Sequence, residues 1–136
     1  MLGYGITGTI VTDTNISSPN IANNTGFNYS NITLTYGLWL LYGNAGFQVT
    51  VASGTGTITS AQVSIGSSGT INGNFAITDQ STITVTNSTY ISHQVMRIVS
   101  VQALTSIQYL AAKYVFSGCT LNTRQCYSSF SAYRIA

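Results

Sequence analysis

Ile91-Ser-His-Gln-Val-Met-Arg-Ile-Val-Ser-Val-Gln-Ala-Leu-Thr-Ser-Ile-Gln-Tyr-Leu-Ala-Ala-Lys-Tyr-Val-Phe116 contains neither glycine nor proline, and its conformation sets the architecture of the whole chain. Large apolar residues recur at Ile91, Val95, Ile98, Val101, Leu104, Ile107, Leu110 and Tyr114. Steps of three and four place such residues on one helical stripe. Ser88 or Thr89 can cap the start, Lys113 suits the last turn and Gly118 is a stop. The spacing therefore predicts a helix over 91–116, on the order of 39 Å long. The β-branched run from Val95 to Val101 equally suits a strand. The alternative is a strand at 91–101 followed by a shorter helix at 102–116.

Only 4% of the 136 residues are charged, against about 25% in a typical soluble domain. Glu is absent; Asp13 and Asp79 are the acids, and Arg97, Lys113, Arg124 and Arg134 the bases. All four bases follow residue 96, and both acids precede it. Nine Tyr, five Phe and one Trp argue against disorder, which goes with high charge and few aromatics. The length fits one domain, 1–136, with a single core. So few charges leave a free monomer little protection against self-association. Such a surface is tolerable where it is covered by neighbouring subunits or by glycans. With two carboxylates and one His, acid has few groups on which to act.

Before this stretch the chain reads as short strands. Residues 1–12 form an extended N-terminal arm of a kind that can add to a neighbour's sheet. Gly3, Gly5 and Gly8 formally match a dinucleotide-binding fingerprint, but no strand precedes them and no helix-forming run follows. Residues 13–30 read as loop. Sequons stand at Asn15, Asn23, Asn28 and Asn31, with another at Asn87, and these five are the glycosylation candidates. Ile32, Leu34, Tyr36, Leu38 and Leu40 alternate onto one face, with Thr33, Thr35 and Trp39 on the other. Gly43-Asn44-Ala45-Gly46 then reads as a hairpin turn leading to Phe47, Val49 and Val51. Ile58, Ala61, Val63 and Ile65 change phase, which predicts a bulge near Ser60. Turns at Ser67-Ser68-Gly69 and Asp79-Gln80 separate strands carrying Ile71, Phe75 and Ile77, then Ile83 and Val85. A last strand runs from Tyr127 to Ile135, with Tyr127, Ser129, Ser131, Tyr133 and Ile135 sharing a face. The fold class is mainly β: an antiparallel sandwich or barrel, compatible with a jelly roll, with one long helix in the C-terminal half.

Residues 117–136 hold Cys119 and Cys126. A disulfide closing this short loop would contribute on the order of 2–3 kcal/mol, and it implies an oxidising exterior or a hyperthermophile's interior. The alternatives are a zinc site, for which only His93 could assist, and two unlinked thiols. No catalytic group stands out. Asp13 and Asp79 share no motif, His93 has no G-x-S-x-G partner, and no basic run signals nucleic acid. No metal or cofactor is implied. Ile98 to Ala112 would span only about 22 Å as a helix, short of the ~30 Å hydrocarbon core, which leaves contact with a lipid surface rather than a span. Thr-x-Thr pairs at 33/35, 55/57/59 and 82/84/86 suit an exposed strand face. The opening Met-Leu-Gly-Tyr-Gly-Ile-Thr lacks the pattern of a secretory leader.

The near absence of charge, the Thr/Ser/Asn/Gly-rich strands, the sequons from Asn15 to Asn31 and the Cys119/Cys126 pair together resemble the structural proteins of hyperthermophilic archaeal viruses and archaeal surface filaments. That resemblance implies a non-catalytic, homo-oligomeric, extracellular part. A tail, nozzle or capsid-surface component of a spindle-shaped virus is the first choice, in a ring or filament with other virion proteins. On this reading Val95, Ile98, Val101, Leu104, Ile107, Leu110 and Tyr114 line an interface helix. The alternatives are a pilus or thread subunit and a secreted carbohydrate- or ice-binding module using Trp39, Tyr and Thr residues.

Overall fold

Two very long antiparallel strands organise the molecule. The computed structural model describes residues 21–68, 76–79, 82–87, 89–122 and 129–136, with backbone alone for 76–79 and 122. Strands follow in the order β1 (Phe27–Thr50), β2 (Gly56–Gly66), β3 (Ala76–Asp79), β4 (Ile83–Val85), β5 (Thr89–Ser117), β6 (Thr120–Asn122) and β7 (Ser129–Arg134). They form one seven-stranded sheet in the order β3-β2-β5-β1-β6, with β4 beside β2 and β7 beside β1. Every pairing among these described strands is antiparallel.

A straight strand of β1's length would reach about 80 Å, far beyond the width of a small domain. The β1/β5 ribbon therefore folds over. The bend is a register shift: Thr35 pairs with Thr105 but Gly37 with Val101, so Tyr36 faces the three residues Gln102 to Leu104. Gly37 takes a φ of 141°, where a side chain is strained, and a Cβ there would lie 2.7 Å from the Ala136 carbonyl oxygen. Trp39 Nε1 donates to the Thr35 carbonyl across the bend at 2.9 Å.

The bend divides the ribbon into two leaves. The first contains residues 38–50 of β1 and 89–101 of β5, with β6 and β7. The second contains 27–35 of β1 and 105–117 of β5, with β2, β3 and β4. Contacts between residues that are not strand neighbours show the leaves packed face to face. Phe47 meets Tyr114 edge-on at 4.5 Å, and the Tyr29 hydroxyl donates to the Gly46 carbonyl at 3.0 Å. A Cβ on Gly43 would fall 2.5 Å from Leu110 Cδ1. Ile32, Leu34, Leu41, Phe47, Val63, Ile65, Leu110, Tyr114 and Phe130 fill this single core.

Inward positions reveal what the bend does to the pattern. In the second leaf they are even-numbered, as with Ile32, Leu34, Leu110 and Tyr114. In the first leaf they are odd-numbered, as with Trp39, Leu41, Phe47, Val49, Val95, Val99 and Val101. Alternation thus slips by one residue in both strands. A second shift, between Asn28 and Ser30, turns Tyr29 inward.

These observations correct the sequence reading. There is no helix among the described residues, so neither the helix at 91–116 nor the shorter one at 102–116 forms. Only the strand proposed at 91–101 agrees with the structure. The slip explains part of the error: Val101 and Leu110 both face the core nine positions apart, a spacing that strict alternation over one unbroken strand forbids. Residues 27–30 belong to β1 rather than to a loop at 13–30. No hairpin turns at Gly43–Gly46, because these glycines make room for Leu110 and present a carbonyl to Tyr29 inside a continuous strand. Leu38 and Leu40 do not share the face of Ile32 and Leu34. In β7, Ser129, Ser131 and Tyr133 share a face as expected, and the buried residues, Phe130 and Ala132, are on the other. The expected bulge near Ser60 is present, between Ile58 and Ser60. The proposed arm at 1–12 lies outside the described residues, as do Ile71, Phe75 and Tyr127.

Candidate functional site

Because odd residues of the first leaf point inward, its even residues form an outer face. Register assembles that face row by row. Met96 pairs with Tyr42, which pairs with Ser131; Ile98 pairs with Leu40, which pairs with Tyr133; Ser100 pairs with Leu38. The Ile135 amide donates to the Leu38 carbonyl at 2.8 Å, which extends the last row by one more residue. Neighbouring strands lie about 4.8 Å apart and alternate residues about 7 Å apart, so the rows form a continuous surface. Met96 is 65% exposed and Ile98 62%, while Leu38, Leu40 and Tyr42 are half-buried between them. At the bend Tyr36 and Leu104 are also exposed, the latter by 92%.

Charge is kept off these rows. Arg97 stands opposite Leu41 on the inward side, and its Nη1 donates to the Ile65 carbonyl at 2.8 Å. Burial lowers the Arg97 pKa. Arg134 stands opposite Trp39, on the alternate side from Tyr133, and its Nε donates to the Ala136 carbonyl at 3.4 Å. The result is an apolar surface with serines at its margin, chemically suited to covering by another surface.

The outer face of the second leaf is different. Asn31, Thr33, Thr35 and Thr105 are exposed there, with Thr35 and Thr105 directly paired. Of the sequons, Asn23, Asn28, Asn31 and Asn87 are exposed, and Asn15 lies outside the described residues. Asn23 Oδ1 also accepts a hydrogen bond from the Phe116 amide at 2.9 Å.

The proposed interface helix does not exist, and the structure splits its residues. Val95, Val101, Leu110 and Tyr114 are core, whereas Ile98, Leu104 and Ile107 are exposed. Met96, Leu38, Leu40, Tyr42 and Tyr133 complete the apolar face and were missed as site residues. The signal for them was alternation in β7 together with apolar residues on both sides of β5. Trp39, considered for carbohydrate binding, is 5% exposed and faces inward. His93 lies on the inner side near the rings of Phe47, at 6.5 Å, and Tyr114, at 5.9 Å.

Cys119 is a half-buried free thiol packed behind Gly56; its expected partner, Cys126, lies outside the described residues. Burial raises the Cys119 pKa, and a hydrogen bond with the Thr57 backbone acts the other way. No group of His, Cys, Asp and Glu suited to a metal occurs among the described residues. No helix there is long and apolar enough to cross a membrane, a statement that does not bear on β-barrels. Neither protein-family models nor curated proteins match this chain.

Proposed function

We propose that the chain is a non-catalytic structural subunit of a homo-oligomeric extracellular assembly, with a virion part such as a tail, nozzle or capsid-surface component as the first choice. A pilus or thread subunit is the alternative within the same class. The observation that carries the reading is the uncharged apolar outer face of the first leaf, on a chain that is 4% charged. Monomeric proteins rarely expose contiguous apolar surface beyond a few hundred Å². A low-charge surface offers little electrostatic resistance to assembly. Glycans on Asn28 and Asn31 would sit on the second leaf, clear of the apolar face.

Light scattering on the purified, unglycosylated chain, with electron-microscopic imaging, tests the proposal. Rings, filaments or defined oligomers are expected. Dispersed single molecules at high concentration would overturn it. The exposed Thr33, Thr35 and Thr105 favour a second reading, a binding module, which predicts a stable monomer that inhibits ice growth or retains a glycan.

A further inference from the structure

We propose that a second copy of this chain covers the outer face of the first leaf, two copies meeting through the same rows of β5, β1 and β7. This rests on the structural-subunit reading and names its contact surface. The centre is the row Ile98–Leu40–Tyr133, flanked by Met96 and Tyr42. Met96, Ile98 and Tyr133, with Tyr36 and Leu104 at the bend, are each more than a third exposed, and side chains of this size together offer roughly several hundred Å², approaching one partner's share of a standard interface, about 800 Å².

The absence of charge supports a second copy as the occupant. Among the described residues no charged side chain stands in these rows, so an acidic or basic partner would find none there to recognise. Two identical copies related by a two-fold axis would bring no like charges together across the described rows, since those rows contain none. Self-contact also gives the chemistry of a stable interface: aliphatic and tyrosine side chains at the centre, with Ser100 and Ser131 towards the margin to supply polar contacts. A two-fold contact of this kind closes a dimer, so a larger ring or filament would be built from such pairs.

The test uses the full chain. Ile98→Lys and Tyr133→Lys place a charge at the centre of the face, and Thr33→Lys places one on the opposite outer face. Expected is a loss of self-association of about thirtyfold or more for the first two, as for a central interface residue, and no change for Thr33→Lys. Independently of those variants, Ile98→Cys should give an oxidant-dependent covalent dimer that Thr33→Cys does not. If wild type assembles but Ile98→Lys and Tyr133→Lys assemble equally well, and Ile98→Cys does not crosslink, this surface is overturned while the structural-subunit reading stands. If wild type stays single, both fall. Wild type that stays single yet binds vesicles of neutral phospholipid, with binding lost in Ile98→Lys, would identify lipid as the occupant and also overturn the proposal.

Discussion

The two outer faces of this molecule are made by the same two strands, and one is mainly apolar while the other is mainly polar. Where β1 and β5 run through the first leaf, they present Leu38, Leu40, Tyr42, Met96 and Ile98 outward. A few residues away, beyond the bend, they present Asn31, Thr33, Thr35 and Thr105, with Ile107 beside Thr33 as the apolar exception. Composition alone does not account for the contrast, because both leaves also bury abundant Leu, Ile, Val and Phe. The one-residue slip at Tyr36–Gly37 and Gln102–Leu104 accounts for it. With alternation unbroken, Leu38, Leu40 and Tyr42 would face inward, and Leu41, Phe47 and Val49 would face solvent. A bulge here chooses which apolar set becomes core and which becomes surface.

The largest effect is expected where the leaves press together. Leu110→Ala empties the space above Gly43 and should cost about 2–5 kcal/mol, a large part of the stability of a small domain, measured by denaturant unfolding. Gly43→Ala should also destabilise, by about 1–3 kcal/mol, because its new methyl would overlap Leu110. The two changes touch the same space, so the double variant should be less damaged than the sum of the singles. Additive losses would mean the leaves are not in contact there.

The bend itself should be next. Gly37→Ala combines an unfavourable φ with a close approach to the Ala136 carbonyl, and about 1–3 kcal/mol is expected. If the slip fails locally, Met96 and Ile98 lose their outward placement, so the variant should also associate less at a temperature where it remains folded. Trp39→Phe removes the hydrogen bond across the bend and should cost about 1 kcal/mol, with assembly retained. A Gly37→Ala protein as stable as wild type would refute this account of the corner.

Much of the β architecture could be read from the residues. Val63, Ile65, Ile83, Val85 and the phase change at Ser60 all announced strands that the structure contains. The long helix rests on the steps of three and four linking Val95, Ile98, Val101, Leu104, Ile107, Leu110 and Tyr114, although a run of steps of three drifts about 60° per step around a helix. In the structure they divide between the core and the outside. Alternation that changes phase mid-strand, with apolar residues on both faces, also leaves apolar residues three and four positions apart. For the same reason the apolar face was only half visible: Ile98 and Leu104 were identified on a helix that does not form. Tyr133 was placed on its correct face without a reason to single it out. Gly43 and Gly46 read as a turn since close packing across a core leaves the same residue in the sequence as a reversal does.

The smallest expected effect comes from Cys119, away from both outer faces. Burial raises its pKa in the folded chain above the value of an unfolded thiol, which lies at about 8.5. The folded state therefore holds its proton to higher pH than the unfolded state does. Its contribution is fully present below the unfolded pKa and is lost as pH rises through the folded one. The melting temperature of the reduced chain should thus fall slightly in mildly alkaline solution, and Cys119→Ser should remove that part of the fall. The thiol should also react slowly with an alkylating reagent at neutral pH, since little thiolate is present. Self-association should be indifferent to the substitution, because Cys119 packs behind Gly56 and not among the rows of Ile98. If Cys119→Ser dissolves the assembly while leaving the melting temperature unchanged, contact between copies runs through the β6 end of the sheet, and the contrast between the two outer faces has no part in it.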